Sequence, residues 1–519
     1  MEPSVHKDFS KCHDVVIAGA GPVGLFLAGE LALAGCSVLV LEQAPQAGSP
    51  LKDLPFGLRG LSAATMDSLD RRDLLAVLQA RGADRDIPAT AHWMQQGRRP
   101  AGHFAGIPFF HDRIDSATWP YRLPGPTGGM ASDMTSIETV LAQRATAMGA
   151  EIRRGCGVET VTQSETGIGI RTSGGTVEAR WLVGCDGGRS TVRKAAGIGF
   201  TGTAPELTGY AAEVELADPD KLKPGRHHTA TGLYTYAPPS LVAMVDFDGG
   251  AFHRTQPVTR DHIQVVLRKV SGTDVTVTAL RLATTWTDRA CQATDYRRGR
   301  IMLAGDAAHI HAPLGGQGLN LGLGDAINLG WKLAATIRGD APPGLLDSYA
   351  AERHPVGAQV LDWSRAQVAL MRPDPGARAL AAIIRDLVET RDGASYCAGR
   401  VWGTGLRHDL GGTHPLVGQS APDFALADGT RLNERLRTGR GLFLDFAARP
   451  SRQALAARWT GQVDYIASDA QDRLGLSAIL VRPDGLVAWA GDHADDDEQA
   501  CQAGSRWFAT PSRPGTPQP

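Results

Sequence analysis

The sequence predicts an α/β fold interrupted by an inserted β-sheet and followed by a second, smaller α/β unit. Three observations predict it. A strand, glycine turn, helix and strand open the chain at 13–43. Residues 208–287 are rich in Val, Thr and Tyr with alternating polarity, the pattern of half-buried strands. A strand-to-helix pattern then returns at Ile301, and a Gly-rich polar stretch near 395–420 separates it from a last group of short apolar runs.

The first segment, "HDVVIAGAGPVGLFLAGELALAGCSVLVLEQ" (13–43), holds a β-branched strand suited to a buried parallel sheet. Its helix stops at Gly35, a natural C-cap, and "SVLVLE" is the second strand. A Pro/Gly-rich loop follows, and then "SAATMDSLDRRDLLAVLQARG" (62–82) predicts one amphipathic helix with Ser62 as N-cap. Periodicity weakens over 89–125. Residues 134–150 predict a helix and 151–188 several short strands, while 345–371 and 375–392 predict two further helices. The tail "TPSRPGTPQP" has the composition of a disordered segment.

Composition excludes several classes. Hydrophobic residues at 42% and charged residues at 21% fit a globular protein, and at about 150 residues per domain the 519 residues suggest about two to four domains. A net charge of −2 with scattered arginines argues against nucleic-acid or anionic-membrane partners. No apolar run approaches the ~18 residues that span a bilayer, and the N-terminus lacks an apolar signal core. The seven cysteines include no CxxC pair and no Cys/His cluster with zinc spacing, so reduced thiols, a cytoplasmic location and no metal are expected.

The chemistry-bearing motifs come next. Gly19-Ala20-Gly21-Pro22-Val23-Gly24 sits between strand and helix, the context of a Rossmann-like dinucleotide fingerprint. Gly19 permits the tight turn, Gly21 lets the backbone approach a pyrophosphate, and Gly24 permits close helix–strand packing. The helix N-terminus supplies free N–H groups and partial positive charge. Glu42, with Gln43 beside it, ends the second strand where a carboxylate can accept from a ribose. A second strand-to-turn junction carries Asp186-Gly187, with Ser190 and Arg193 as either cofactor contacts or cap and surface residues. The third runs from Gly305-Asp306 through Pro313, Gly316, Gly318, Leu319 and Asn320 into a helix. His309-x-His311 has no third ligand nearby, against a metal site.

"GAGPVG", "CDGGRSTVR" and "GDAAHIHAPLGGQGLNLGLGDAINLGWKLA", followed by "LLDSYAAERHPVG", resemble the signatures of the FAD-dependent aromatic hydroxylases, the single-component class A flavoprotein monooxygenases. The resemblance covers roughly 13–390 and is greatest to hydroxylases that tailor aromatic polyketides and carry a C-terminal thioredoxin-like domain. It implies a discontinuous FAD-binding domain (1–88, 126–200, 288–395), a substrate-binding β-sheet domain (89–125, 201–287), a thioredoxin-like domain (396–507) and a tail (508–519). It implies FAD as cofactor, NADPH or NADH as a transient reductant, and O2. The expected reaction is hydroxylation of a polycyclic aromatic or polyketide-like molecule through a flavin C4a-hydroperoxide, by a monomer or homodimer. Asp306 would accept from the ribityl or pyrophosphate side, and the helix near Gly316 would direct its positive end at the reduced flavin.

Baeyer–Villiger oxygen insertion uses the same scaffold, and a flavin-dependent drug-binding or redox-sensing protein is the alternative of a different class. Candidate substrate-wall residues are Trp93, Phe104, Tyr234, Tyr236 and Phe247; His227 and His228 are candidate bases. The sequence departs from the family at Gly57 and Ala64, where arginines are usual, with Lys52 or Arg59 as substitutes. The terminal domain lacks paired cysteines for thioredoxin chemistry, which implies a structural or oligomerisation role.

Overall fold

The computed structural model describes residues 12–82, 97–122, 129–253, 255–493 and 496–510. Trp93 and the end of the tail lie outside the described residues. Strand His13–Ala18 lies at the centre of a parallel sheet, between Val38–Glu42 and Gly175–Gly184. Glu151–Arg154 extends the sheet on one side and Ile301–Leu303 on the other. Helices Pro22–Leu33, Met134–Ala147 and Gln317–Arg338 pack together against it. Covered strands of this kind carry continuous apolar runs, as His13–Ala18 and Val38–Glu42 do.

Register explains why three distant motifs meet. Ala18 pairs with Gly184, and Gly184 pairs with Leu303. Three parallel strands therefore end side by side, and their following turns leave the same edge of the sheet, where α/β folds bind ligands.

A five-stranded antiparallel sheet runs in the order Gly225–His228, Gly232–Ala237, Leu241–Asp246, Thr208–Leu216, Val277–Thr287. The sequence predicts only strands across 208–287, but helix Arg260–Ser271 lies there too. Thr259 caps it through His262 N–H and Gly272 ends it at φ +71°. Its buried Ile263, Val266, Leu267 and Val270 follow helical spacing and cover one face of the sheet, each contributing roughly 1.5–3 kcal/mol of burial.

The C-terminal unit holds a four-stranded sheet ordered Val463–Ala467, Gly441–Asp445, Ala478–Val481, Val487–Gly491. Its seat on the rest of the chain explains a second departure from expectation. Residues 62–82 form two helices, Ala63–Asp70 and Leu75–Gly82, broken at Arg71-Arg72-Asp73. Asp73 takes φ +60°, and both arginines are buried. Arg71 donates to Asn433 Oδ1 (2.9 Å), Ser420 Oγ (2.8 Å) and the Ala421 carbonyl (2.9 Å). A Cβ at Gly485 would stand 2.1 Å from its Nη1. Arg72 pairs with Glu30 at 2.7 Å and donates to the carbonyls of Leu436 and Pro483. Helical continuity is given up to place two guanidinium groups at the domain junction.

A buried ionic cluster completes the junction. Glu352 accepts from Arg482 through both oxygens (2.9 and 2.8 Å) and from Lys332 Nζ at 2.8 Å. Asp484 joins Arg482, and Asn328 bridges Glu352 and Asp484. Burial pushes the Lys332 ammonium down to about 7, with Arg482 adding repulsion. Burial alone would raise the Glu352 carboxyl, but Arg482 and Lys332 hold it far below the usual range. The seven cysteines are all free, and no helix among the described residues is long and apolar enough to cross a membrane.

Removing one partner of a buried pair strands the other charge, at about 3–5 kcal/mol. Arg482→Met is expected to destabilise by that amount in chemical denaturation, while Arg281→Ala, which breaks an exposed pair with Glu215, changes it by less than about 1 kcal/mol. Burial, then neighbouring arginines, holds His408 neutral, pushed from 6.5 down to about 4. Its unfolded form protonates first on acidification, so this stability is intact above about pH 6.5 and is lost as pH falls toward about 4. The thermal midpoint should fall between about pH 7 and about pH 5, and His408→Gln should flatten that fall.

Candidate active site

The first turn is sterically obliged to be glycine at two positions. Gly19 has φ +105°, and a Cβ there would stand 2.4 Å from the Cys185 carbonyl oxygen; one at Gly24 would stand 2.1 Å from the Gly19 oxygen. Gly21 differs: a Cβ there meets nothing within 4 Å. Its hydrogen faces open cleft, which Pro22 and Val23 also line. Glu42 already accepts two main-chain hydrogen bonds, from Ala20 N–H and Ala44 N–H, both at 2.8 Å. It braces the glycine turn, with one lone pair on each oxygen left for a ribose. Gln43 is exposed beside it.

The second turn presents Gly187 at φ +76° to the cleft. Asp186 Oδ2 accepts from Val192 N–H at 3.1 Å, while its Oδ1 is buried with no partner. Ser190 is the N-cap of Thr191–Ala195. Arg193 is buried and donates to the carbonyls of Ala307 (2.8 Å) and Gly188 (3.0 Å), tying the second turn to the third.

The third turn is held by a buried carboxylate that sequence reasoning missed. Asp325 accepts from Gly305 N–H (3.0 Å), His309 Nε2 (2.6 Å) and Arg353 Nε (2.8 Å). Burial alone would raise its carboxyl, but the charges of His309 and Arg353 hold it below the usual range. Asp306, next to this anchor, projects into the cleft without a protein partner among the described residues. Beyond it, Pro313, Gly316, Gly318 and Leu319 line the cleft. Gly316 caps helix Gln317–Arg338 in a left-handed conformation, with no side-chain hydrogen bond at the cap. Asn320 is otherwise engaged: it accepts from Ser62 N–H and donates to the Gly60 and Gly316 carbonyls, fixing strand Leu58–Leu61 to the helix start.

The departures at 57 and 64 have local causes. A Cβ at Gly57 would stand 1.8 Å from the Lys52 carbonyl oxygen, so no arginine fits that loop. Lys52 is taken by Glu138 at 2.8 Å. Arg59 lines the cleft and supplies a cation there, as does Arg99. Ala64 lines a different cavity.

The cleft has a volume of about 1280 Å³ and runs from these turns to one face of the antiparallel sheet. By register, Thr235, Ala243, Ala211 and Thr284 form a row across four strands of that face. Small side chains leave a flat floor, and Trp286, lying over Gly209, adds an aromatic wall. The sequence-based wall residues need correction. Tyr234 and Tyr236 alternate to the opposite face and pack under helix Arg260–Ser271. Phe104 packs edge-on against Trp363 at 4.5 Å, and Phe247 packs at the rim of the main core. Neither lines the cleft.

The candidate bases are also displaced. His227 stacks on Tyr234, and His228 lies off the cleft. The histidine pair at 309 and 311 instead splits where strand His309–Ile310 ends: His309 turns inward to Asp325 and His311, beyond the strand, turns into the cleft. His311 Nδ1 lies 2.7 Å from the Ala312 carbonyl, which makes it the donor and leaves Nε2 a buried lone pair with no partner. Burial pushes this imidazole down to about 4, so it is neutral near pH 7.

These residues fit an extended dinucleotide bearing a flat ring. Gly21 is open, and Asp306 and Asp186 Oδ1 lack protein partners. The positive end of helix Gln317–Arg338 meets the cleft through glycines. Comparisons with known proteins agree. The FAD binding domain family matches residues 12–364, and the aromatic-ring hydroxylase C-terminal family matches 414–511. A monooxygenase of Claviceps purpurea is 42% identical over 504 residues, covering 96% of this chain and 98% of that protein. The rifampicin monooxygenase of Streptomyces venezuelae is 38% identical over 503 residues, covering 95% and 98%. The structure of the anhydrotetracycline hydroxylase OxyS from Streptomyces rimosus superposes with a TM-score of 0.82 at 36% identity, covering 97% of this chain and 100% of that one. The chain therefore belongs to the FAD-dependent aromatic-ring hydroxylases and is a flavin monooxygenase.

Proposed function

We propose that the protein uses NAD(P)H and O2 to hydroxylate a polycyclic aromatic, polyketide-like molecule. The observation that carries this reading is the single cleft joining three nucleotide-facing turns to a flat floor of alanines and threonines. Relatives named for rifampicin and anhydrotetracycline support a bulky aromatic substrate. The reading keeps the sequence-based division, with 1–88, 126–200 and 288–395 holding FAD and 89–125 and 201–287 facing the substrate.

Bound FAD supplies two-electron reduction and oxygen activation. This chain's residues bind and orient. The Gly21 turn and the N-terminus of helix Pro22–Leu33 receive the pyrophosphate, Glu42 accepts from the ribose, and Asp306 accepts from the ribityl hydroxyls. Gly315 and Gly316, both at positive φ, bring main-chain N–H groups to the ring edge where negative charge collects. The floor formed by Ala211, Ala243, Thr235 and Thr284 seats the aromatic substrate and keeps water from the reacting face. His311 Nε2 accepts a hydrogen bond from a substrate hydroxyl, drawing electron density into the ring to be oxygenated.

Asp306→Ala is expected to raise the FAD dissociation constant about tenfold, the worth of roughly 1.4 kcal/mol. Gly21→Val should lower bound flavin further by filling the cradle, and unaltered flavin absorbance in both variants would contradict the assignment. Aerobic turnover with a panel of polycyclic phenols should add one oxygen by mass. Ala243→Trp should abolish that turnover while keeping the flavin, which separates floor from cofactor cradle.

A further inference from the structure

The flavin cleft is far more positive than the chain that forms it. The sequence carries a net charge of −2. The described residues lining the cleft include Arg59, Arg99, His103, His111 and His311 against a single carboxylate, Asp306. A concave site lined by one sign of charge draws in ligands of the other. FAD accounts for part of this. Its pyrophosphate has donors at the Gly21 turn, and Arg59 lies on the strand that Asn320 fixes to the start of helix Gln317–Arg338. Arg99 stands on a different wall.

That wall is the hairpin of strands Pro100–Phe104 and Ile107–Phe110. Arg99 and His111 stand opposite each other at its open end, where His111 N–H donates to the Arg99 carbonyl at 3.1 Å. The neighbouring Arg98 is paired: it donates to both oxygens of Asp112 and to both of Glu389. The Arg99 side chain, exposed at the cleft, has no hydrogen bond or ion pair among the described residues. The His111 ring packs on Trp402 with centroids 5.3 Å apart, and its nitrogens likewise have no partner among the described residues. Burial, then the charge of Arg99, holds this imidazole below its usual range, so near pH 7 it is neutral and offers one N–H. The closed end of the hairpin rests on a further cation. A Cβ at Gly106 would stand 2.6 Å from Arg226 Cζ. Arg226 pairs with Thr235, so it continues the floor row onto the edge strand. It too lacks an ion pair among the described residues, and with Nε and Nη2 enclosed it acts through its field rather than by contact.

We propose that the cleft selects aromatic substrates bearing a carboxylate, and that Arg99 and His111 bind that group. The guanidinium donates two parallel N–H bonds to the two oxygens, the geometry arginine matches best. His111 donates a third from its seat on Trp402, and the rings lie along the floor of alanines and threonines. This deepens the monooxygenase reading, on which it rests for the aromatic nature of the ligand.

The test is equilibrium binding to oxidised holoenzyme with no reductant present, read by perturbation of the flavin absorbance. The probes are a hydroxyanthraquinone carboxylic acid and its methyl ester, which differ in charge and little in shape. The acid should bind about tenfold more tightly than the ester, and added salt should weaken the acid alone. Arg99→Gln should remove the preference by weakening the acid about tenfold, with the ester and the flavin content unchanged. Arg99→Lys should restore part of it, because charge returns without the planar fork. His111→Phe, which keeps a ring on Trp402, should weaken the acid and not the ester. Arg98→Gln, which removes a neighbouring charge outside the cleft, should leave the preference intact. The proposal is overturned if the parent binds acid and ester alike, if Arg99→Gln weakens both equally, or if Arg98→Gln erases the preference as Arg99→Gln does. Equal binding leaves the aromatic reading standing. If neither probe perturbs the flavin, that reading fails and the proposal falls with it.

Discussion

The flavin cleft depends on one buried carboxylate. Asp325 sits on helix Gln317–Arg338, yet it satisfies the N–H of Gly305, the imidazole of His309 and the guanidinium of Arg353 together. Each of those groups is buried and would be costly alone. Holding them at one point fixes the angle between the helix whose positive end faces the cleft and the turn that presents Asp306. The cleft's geometry is therefore set by charge balance behind it as much as by the glycines in front.

That balance extends out of the flavin-binding part. Glu352 precedes Arg353 on the same helix and is neutralised by Arg482 of the C-terminal unit and by Lys332. Arg71 and Arg72 reach back across the same junction. Each side carries buried charges whose partners belong to the other, so neither can be removed without exposing or stranding ions. The C-terminal unit thus shares buried ion pairs and hydrogen bonds with the flavin-binding part.

Much of the fold, and the need for glycine in its turns, was legible in the sequence because it is local. Gly19, Gly24 and Gly305 are demanded by backbone conformation and close approach within a few residues. Asp325 was not legible, because its role arises only when residues 305, 309 and 353 are brought to it. Arg71 and Arg72 read as the polar face of one continuous helix; the break needs the C-terminal unit to explain it. Helix Arg260–Ser271 did carry a readable 263, 266, 267, 270 spacing and a cap at each end, hidden among strands of similar composition. Missing that helix also reversed the sheet. Alternation divides strand Gly232–Ala237 into two sets, and with both faces covered the aromatic set looks like the binding set; the helix claims Tyr234 and Tyr236, leaving Thr235 and Ala237 for the cleft.

Parity separates most duties of this two-sided sheet, with Ala212 and Val242 shared between cleft and core. Odd-numbered positions 211, 235 and 243 bear only a methyl or a hydroxyl-bearing stub toward the cleft, while Tyr210, Tyr236 and Met244 beside them keep the opposite layer packed. Enlarging or trimming the floor one carbon at a time therefore leaves the hydrophobic layer beneath untouched. A sheet built on such a plan lets single substitutions reshape the floor while the opposite layer keeps the fold.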